Sequence, residues 1–221
     1  MLVARRKPLL DSLVGEVGNA RAVVMNLGQP GAAATLAADL AGHGEHCQVL
    51  INNAGFGLWG KFESLDGPRQ RAMIDLNCGT LVELTHVMLA AMLERGDGAI
   101  LNVASTAAFQ PGPGMATYFA TKAFVLSLTE ALHQELRPCG INISALCPGP
   151  TATEFGDVAG FGRSIPKFAM AKAGPVVRAG IRGLERNRAV VIPGLLNKMS
   201  GQGHRLLPRS ALRRITAAIK F

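Results

Sequence analysis

The sequence predicts an α/β fold, a doubly wound parallel sheet with helices on both faces, and three observations carry that prediction. Short β-rich runs alternate with longer helical patterns along the chain, which favours repeated βα units over a sandwich or a bundle. With 48% hydrophobic residues in 221, the chain fills one core and is excluded from the disordered class. Small and hydrogen-bonding residues stand just past several of the β-rich runs, where open α/β sheets bind their ligands.

The elements follow in order. Leu2-Val3-Ala4 ends a strand, and Pro8 opens a helix that runs to about Val17. Ala22 to Met25 is a strand, and Gly31 to Ala41, rich in Ala and Leu, is a helix. Cys47 to Ile51 is a continuous apolar strand of the kind buried on both faces. From Pro68 to about Arg95, Met73, Leu76, Leu81, Leu84, Val87 and Met88 recur at helical spacing, and Gly96 stops the pattern. Ala99 to Val103 is the next strand, Met115 to Arg137 a second long helix, Ile141 to Leu146 a further strand, and Val190 to Ile192 closes the sheet. No internal repeat or linker divides the chain, so residues 1–221 read as one domain.

Composition narrows the function classes. The apolar stretches around Ala99 to Phe109 and Met115 to Leu128 are broken by polar residues before the roughly 18 residues that a membrane span needs, so no bilayer-crossing helix is expected. The start MLVARRKPLL lacks the pattern of a secretory signal, and a cytoplasmic protein is expected. Cys47, Cys78, Cys139 and Cys147 have neither metal nor disulfide-scaffold spacing and read as reduced, mostly buried thiols. The net charge of +8 is uneven: residues 1–162 hold 10 Lys/Arg against 14 Asp/Glu, whereas residues 163–221 hold 13 against Glu185 alone. A basic tail without interleaved aromatics is a poor nucleic-acid signature, and no nucleic-acid partner is expected.

The chemistry gathers at strand ends: Asn52-Asn53-Ala54-Gly55, Ala104-Ser105 and Pro148-Gly149. The sharpest pair is Tyr118, the chain's one tyrosine, and Lys122, one helical turn apart on one face. A phenol with a pKa of about 10 is a poor base near neutrality, and an adjacent ammonium favours its phenolate. Such a pair suits proton transfer at a hydroxyl or carbonyl oxygen, with the Ser105 hydroxyl placed to hold that oxygen.

These residues resemble the short-chain dehydrogenase/reductase (SDR) family as a set: NNAG at 52–55, Asn77, Ser105, Tyr118 with Lys122, and Pro148-Gly149, in that order and spacing. The stretches NNAGFG, ILNVAS, YFATKAF and CPGPTATEF extend the likeness over essentially the whole chain. The resemblance implies a Rossmann-like sheet, a nicotinamide cofactor and hydride transfer to or from a carbonyl/alcohol substrate. It assigns Tyr118 as acid/base, Lys122 to lowering the Tyr118 pKa and bonding the nicotinamide ribose, Ser105 as substrate-oxygen anchor and Asn77 as holder of a relay water. Asn53, with Ala54 and Gly55, falls at the adenosine ribose region, Thr151 with Pro148 and Gly149 at the nicotinamide carboxamide, and Asn26-Leu27 at the adenine pocket. Arg5 and Arg6 fall where the family tells its cofactors apart. An arginine fork there suits a 2′-phosphate, so NADP(H) is preferred and NAD(H) is the alternative.

The sequence departs from the family at its start. The family opens with a strand, a Thr-Gly-x-x-x-Gly-x-Gly turn that cradles the pyrophosphate, and a helix, a unit of about 30 residues. That unit is expected to be missing, its strand leaving a gap between the strands at Leu2 and at Cys47, so the domain reads as N-terminally truncated. Residues 150–172, within which Gly156, Gly160 and Gly162 lie, match the substrate lid, whose Phe residues suggest an apolar substrate. Residues 194–221 form a basic extension in which Ser210 to Ile219 is an amphipathic helix with Leu212, Ile215 and Ile219 on one face. It reads as packed at the sheet edge rather than on a membrane. The long helices match those by which the family forms homo-oligomers. The competing expectation is a catalytically inactive remnant or interaction protein that keeps the motifs without binding cofactor.

Overall fold

The computed structural model describes residues 1–161, 170–203 and 208–218. In order they form β1 (Leu2–Ala4), α1 (Lys7–Val17), β2 (Ala22–Val24), α2 (Ala32–Gly42), β3 (Val49–Asn52), α3 (Gly67–Ile74), a π-helical turn (Asp75–Thr80), α4 (Leu81–Arg95) and β4 (Gly98–Val103). Then come α5 (Ala116–Leu136), β5 (Ile141–Leu146), α6 (Phe155–Ala159), α7 (Ala173–Glu185), β6 (Val190–Val191), α8 (Leu195–Gly203) and α9 (Arg209–Ala218). Local chemistry sets the boundaries. Pro8 stands in the first turn of α1, the Asp66 carboxylate accepts from the Arg69 N–H at 2.7 Å to cap α3, and Gly96 in the left-handed region ends α4.

All strand pairs are parallel, in the order β3-β4-β5-β6, with β1-β2 as a separate two-stranded piece. Side chains alternate across the larger sheet as the period of two requires. Ile100 and Ile143 point to one face, where Leu36 and Leu40 of α2 and Leu84, Met88 and Met92 of α4 cover them. Leu101 and Leu146 point to the other, against Val176 and Leu184 of α7. Met92, Ile100 and Ile143 are all fully buried, each worth roughly 1.5–3 kcal/mol of burial. Gly180 brings α7 onto the sheet, since a Cβ there would stand 2.9 Å from Leu146 Cδ2.

The unpaired edges of β1 and β3 line one cleft of about 2320 Å³ together with the strand ends. Among the described residues no strand joins the two pieces, the arrangement expected if a central strand is missing. One expectation fails: β3 is not buried on both faces, because Val49 is 51% and Ile51 49% exposed.

Other expectations change as well. The helix expected over Pro68–Arg95 is continuous in direction but passes through the π turn, an extra residue that the apolar periodicity does not reveal. By length and composition alone the run Gly67–Arg95 is apolar enough to cross a membrane, a run not weighed in the expectation of no bilayer-crossing helix. Its Leu84, Met88 and Met92 are buried against the sheet core, as in a core helix. Helices α7 and α8 were not anticipated, although α7 is amphipathic and packs Val176, Gly180, Gly183 and Leu184 inward. In α9, Leu212 and Thr216 face inward while Ile215 is 49% exposed, so the packed face is rotated from the expected one. Ile219 and Gly162 lie outside the described residues. All four cysteines are free; Cys147 is buried, Cys47 and Cys78 are partly buried, and Cys139 is exposed, contrary to expectation for that one.

Candidate active site

The carboxyl ends of β3, β4 and β5, the π turn and the first half of α5 converge on one wall of the cleft. The ladder register sets Asn52 beside Asn102 and Asn102 beside Ala145. Beneath the wall runs a buried polar ladder: Asn52 Nδ2 donates to Asn102 Oδ1 at 2.9 Å and to Thr85 Oγ1 at 3.0 Å. Asn102 Nδ2 donates to Thr129 Oγ1 at 2.9 Å, and Thr129 Oγ1 donates to the Val125 carbonyl at 2.6 Å. These bonds tie β3, β4, α4 and α5 together, so the helix bearing Tyr118 and Lys122 is fixed against the strand bearing Ser105.

Tyr118, Ser105 and Lys122 line the same cleft. Ser105 lies just past β4, its hydroxyl accepting from the Ala107 N–H at 3.1 Å and reaching the Pro148 carbonyl at 3.4 Å. Tyr118 is buried, and it lines the cleft together with Ser105. Lys122 Nζ lies 5.8 Å from the Tyr118 ring centroid and donates to the Val103 carbonyl at 2.7 Å. Burial pushes the phenol up to about 12, partly offset by Ser105, and pushes the Lys122 ammonium down to about 8. The expected lowering of the phenol by Lys122 is thus not what governs it here: desolvation outweighs every other influence.

Asn77 sits in the π turn, 2% exposed. Its Oδ1 accepts from the Phe56 N–H at 3.1 Å, and its Nδ2 donates to the Phe56 carbonyl at 3.0 Å and to Thr121 Oγ1 at 3.1 Å. Thr121 Oγ1 in turn donates to the Tyr118 carbonyl at 2.7 Å. The π geometry turns Asn77 inward, and π turns recur at functional sites for that reason. Gly55 makes the close approach workable, because a Cβ there would stand 2.8 Å from Asn77 Oδ1. Sequence reasoning passed over Thr121 and Thr80. Thr80 Oγ1 donates to the Leu27 carbonyl at 2.7 Å, tying the π turn to the segment after β2. A hydroxyl one residue before Lys122, on the same helical turn as Tyr118, was the available sign of the first.

The remaining expected residues line the cleft, with one exception. Asn53, Ala54 and Gly55 follow β3, and Pro148, Gly149 and Thr151 follow β5; both sets face it. Leu27 lines it, whereas Asn26 does not and instead accepts from the Gly28 N–H through Oδ1 at 3.2 Å. Arg5 and Arg6, just past β1, line it opposite the catalytic wall. Arg6 pairs with Glu154, a residue sequence reasoning did not single out. Above Tyr118, Phe155 packs tilted with ring centroids 5.2 Å apart, and Phe56, Leu58, Met115 and Phe161 complete an apolar cluster. Among the described residues no group of His, Cys, Asp and Glu has the geometry of a metal site.

The family model for short chain dehydrogenases matches residues 1–165. A ketoacyl reductase of Nostoc sp. is 37% identical over 126 residues, covering 57% of this chain and 43% of that protein. Sulfoacetaldehyde reductase 2 of Chromohalobacter salexigens is 32% identical over 160 residues, covering 70% of this chain and 64% of that protein. The chain therefore spans less than two thirds of the length of either relative. A short-chain dehydrogenase from Sphingobium yanoikuyae, solved in complex with NADPH, superposes with a TM-score of 0.82 at 32% identity, over 99% of this chain and 85% of that one. With its fold, its strand-end residues and a family match over most of its length in agreement, the chain belongs to the short-chain dehydrogenase family.

Proposed function

We propose that the chain is an NADP(H)-dependent oxidoreductase acting on an apolar carbonyl/alcohol substrate, with Tyr118, Lys122, Ser105 and Asn77 as its working residues. The observation that carries this reading is the buried Tyr118 with Lys122 on the same helix face and Ser105 on the same cleft wall, opening on a cleft whose far side bears Arg5 and Arg6.

The donor set suits a nicotinamide dinucleotide at both ends. Lys122 is a buried ammonium with three N–H donors, one of them given to Val103, which leaves capacity for ribose hydroxyls. Arg5 and Arg6 offer guanidinium forks to a 2′-phosphate at the adenosine end. When bound, the nicotinamide supplies or accepts the hydride. The Ser105 hydroxyl holds the substrate oxygen. Tyr118, kept protonated at neutral pH by burial, gives its proton to the developing alkoxide in reduction and takes it back in the reverse step. Lys122 remains cationic near neutrality, with its pKa of about 8, and stabilises the phenolate that forms. Asn77, bonded through Thr121 to the Tyr118 backbone, keeps the phenol in place.

Phe56, Met115, Phe155 and Phe161 favour an apolar substituent on the carbonyl carbon, in keeping with relatives whose names denote carbonyl reduction. Free thiols at all four cysteines fit a reducing compartment, the cytoplasm. Exposed Val82, Leu93 and Phe124 on α4 and α5 favour a homo-oligomer built on those helices.

Tyr118→Phe is expected to keep the fold, by circular dichroism and melting temperature, and to lower turnover of an aryl ketone with NADPH by about 10²–10⁴-fold. Undiminished turnover rejects the assignment. A second reading, a catalytically inactive remnant or interaction protein that keeps the motifs without binding cofactor, is favoured by the size of the cleft. At about 2320 Å³ it exceeds the roughly 300–1,000 Å³ of small-molecule pockets. Fluorescence titration with NADPH separates the two: saturable binding supports the enzyme, and its absence in the 221-residue chain supports the second reading.

A further inference from the structure

One ion pair crosses the mouth of the cleft. Arg6, the first residue before α1, and Glu154, the first before α6, are 148 positions apart, and Nη2–Oε2 is 2.5 Å with Nη1–Oε1 at 3.3 Å. The contact is a two-point fork, and both side chains are nearly two thirds exposed and line the cleft. The pair fastens the end of β1, where the cofactor's adenosine is read, to the segment that carries Phe155 onto Tyr118. Among the described residues α6 is also held by a neutral contact, the Trp59 N–H donating to the Ala159 carbonyl at 2.8 Å.

We propose that Glu154 is a latch that competes with an adenosine 2′-phosphate for the Arg6 guanidinium, so that filling the adenosine end releases α6, whose Phe155 covers the catalytic tyrosine. This rests on the NADP(H) reading above and concerns how the same cleft is regulated. A guanidinium fork engages one pair of oxyanion atoms in its plane at a time, so carboxylate and phosphate exclude one another there. A solvent-exposed ion pair is weak, and a phosphate with up to two negative charges displaces it readily. A 2′-hydroxyl offers no such competitor, so the latch adds to discrimination between NADP(H) and NAD(H). Glu154 itself touches neither reacting atom and acts as a positioning residue through Arg6 and Phe155.

The test compares the full 221-residue chain with its Glu154→Gln variant, using adenosine 2′,5′-bisphosphate as probe and adenosine 5′-monophosphate as control. Calorimetry gives the affinities. Emission from Trp59, the one tryptophan, reports the position of α6, since Trp59 is bonded to α6 and packs in the same cluster. Glu154→Gln is expected to bind the bisphosphate about threefold more tightly with the monophosphate unchanged, the size of an exposed pair removed. The bisphosphate is expected to shift Trp59 emission in the wild type and to shift it less in the variant. Saturable bisphosphate binding that is equal or weaker in Glu154→Gln overturns the latch and leaves the cofactor reading standing. Failure of both chains to bind the bisphosphate overturns the adenosine-site reading, and the latch with it.

Discussion

The catalytic wall and the adenosine end are held by different forces. At the wall, Asn52, Asn102, Thr85, Thr129, Asn77 and Lys122 are all buried and satisfy one another or the backbone without any ligand. Among the described residues the one buried side-chain polar atom lacking a partner is Asn187 Oδ1, far along the chain from these residues. At the adenosine end, β1 and β2 form their own short piece, fastened by exposed or half-exposed ion pairs: Arg6 to Glu154, and Arg21 to both Asp39 and Glu45. A ladder of buried hydrogen bonds is indifferent to salt and intolerant of a lost partner, whereas exposed ion pairs are the reverse. The proposed reaction centre is therefore preorganised, and the proposed cofactor end is free to respond to charge.

The sharpest way to break this contrast is to titrate the buried ammonium. The unfolded chain holds the Lys122 proton up to about pH 10.5, while the folded site releases it near 8, so the unfolded state binds more protons between these values and stability rises with pH across them. The Tyr118 phenol, raised from 10 to about 12, acts oppositely above pH 10, because the folded state keeps the proton longer, and the Cys147 thiol, also pushed up to about 12, does the same above pH 9. The Lys122 contribution is isolated by difference. Urea melts of wild type and Lys122→Met should show the wild type gaining about 3 kcal/mol relative to the variant between pH 7 and 11. A pH-independent difference would show that Lys122 is solvated and the wall is not closed.

Next in size is the ladder itself. Asn102→Ala removes an acceptor from Asn52 and a donor to Thr129 at 0% exposure, leaving both partners buried and opening a small cavity. A loss of about 2 kcal/mol is expected in denaturant melts, unchanged by salt. A loss under half that, or one that salt abolishes, would place the wall in the same class as the adenosine end.

Much of the wall was legible because its chemistry is written in local order. A residue just past an apolar strand must lie at the sheet's carboxyl edge, which located Ser105, Asn53 and Pro148-Gly149, and a separation of four on a helix put Tyr118 and Lys122 on one face. What was not legible depends on pairings distant in sequence. The inward turn of Asn77 comes from a π turn that the periodicity of Met73, Leu76, Leu81 and Leu84 does not distinguish from a regular helix. The half-exposure of Val49 and Ile51 follows from which edges pair, and apolar composition alone suggested the opposite. Likewise Glu154 is an unremarkable exposed acid in sequence, and only the folded chain brings it to Arg6. Asn26 shows the limit of position: it stands where the adenine pocket was expected, yet its carboxamide caps its own turn through Gly28.

The smallest expected effect probes the other side of the contrast. The Arg21 guanidinium bonds Asp39 at 2.7 Å and Glu45 at 2.5 Å, joining the entry of β2 to α2 and the loop after it. Arg21 holds the Glu45 carboxyl below the usual carboxylate range, so this contribution is present near neutrality and is lost as pH falls through the lowered value. Because the groups are open to water, Arg21→Ala should lower the melting temperature by less than about 3 °C at low salt and by almost nothing in 1 M NaCl. A loss that persists in 1 M NaCl would mean that the aliphatic stem of Arg21 matters more than its charge, and that the proposed adenosine end is held by packing rather than by ion pairs.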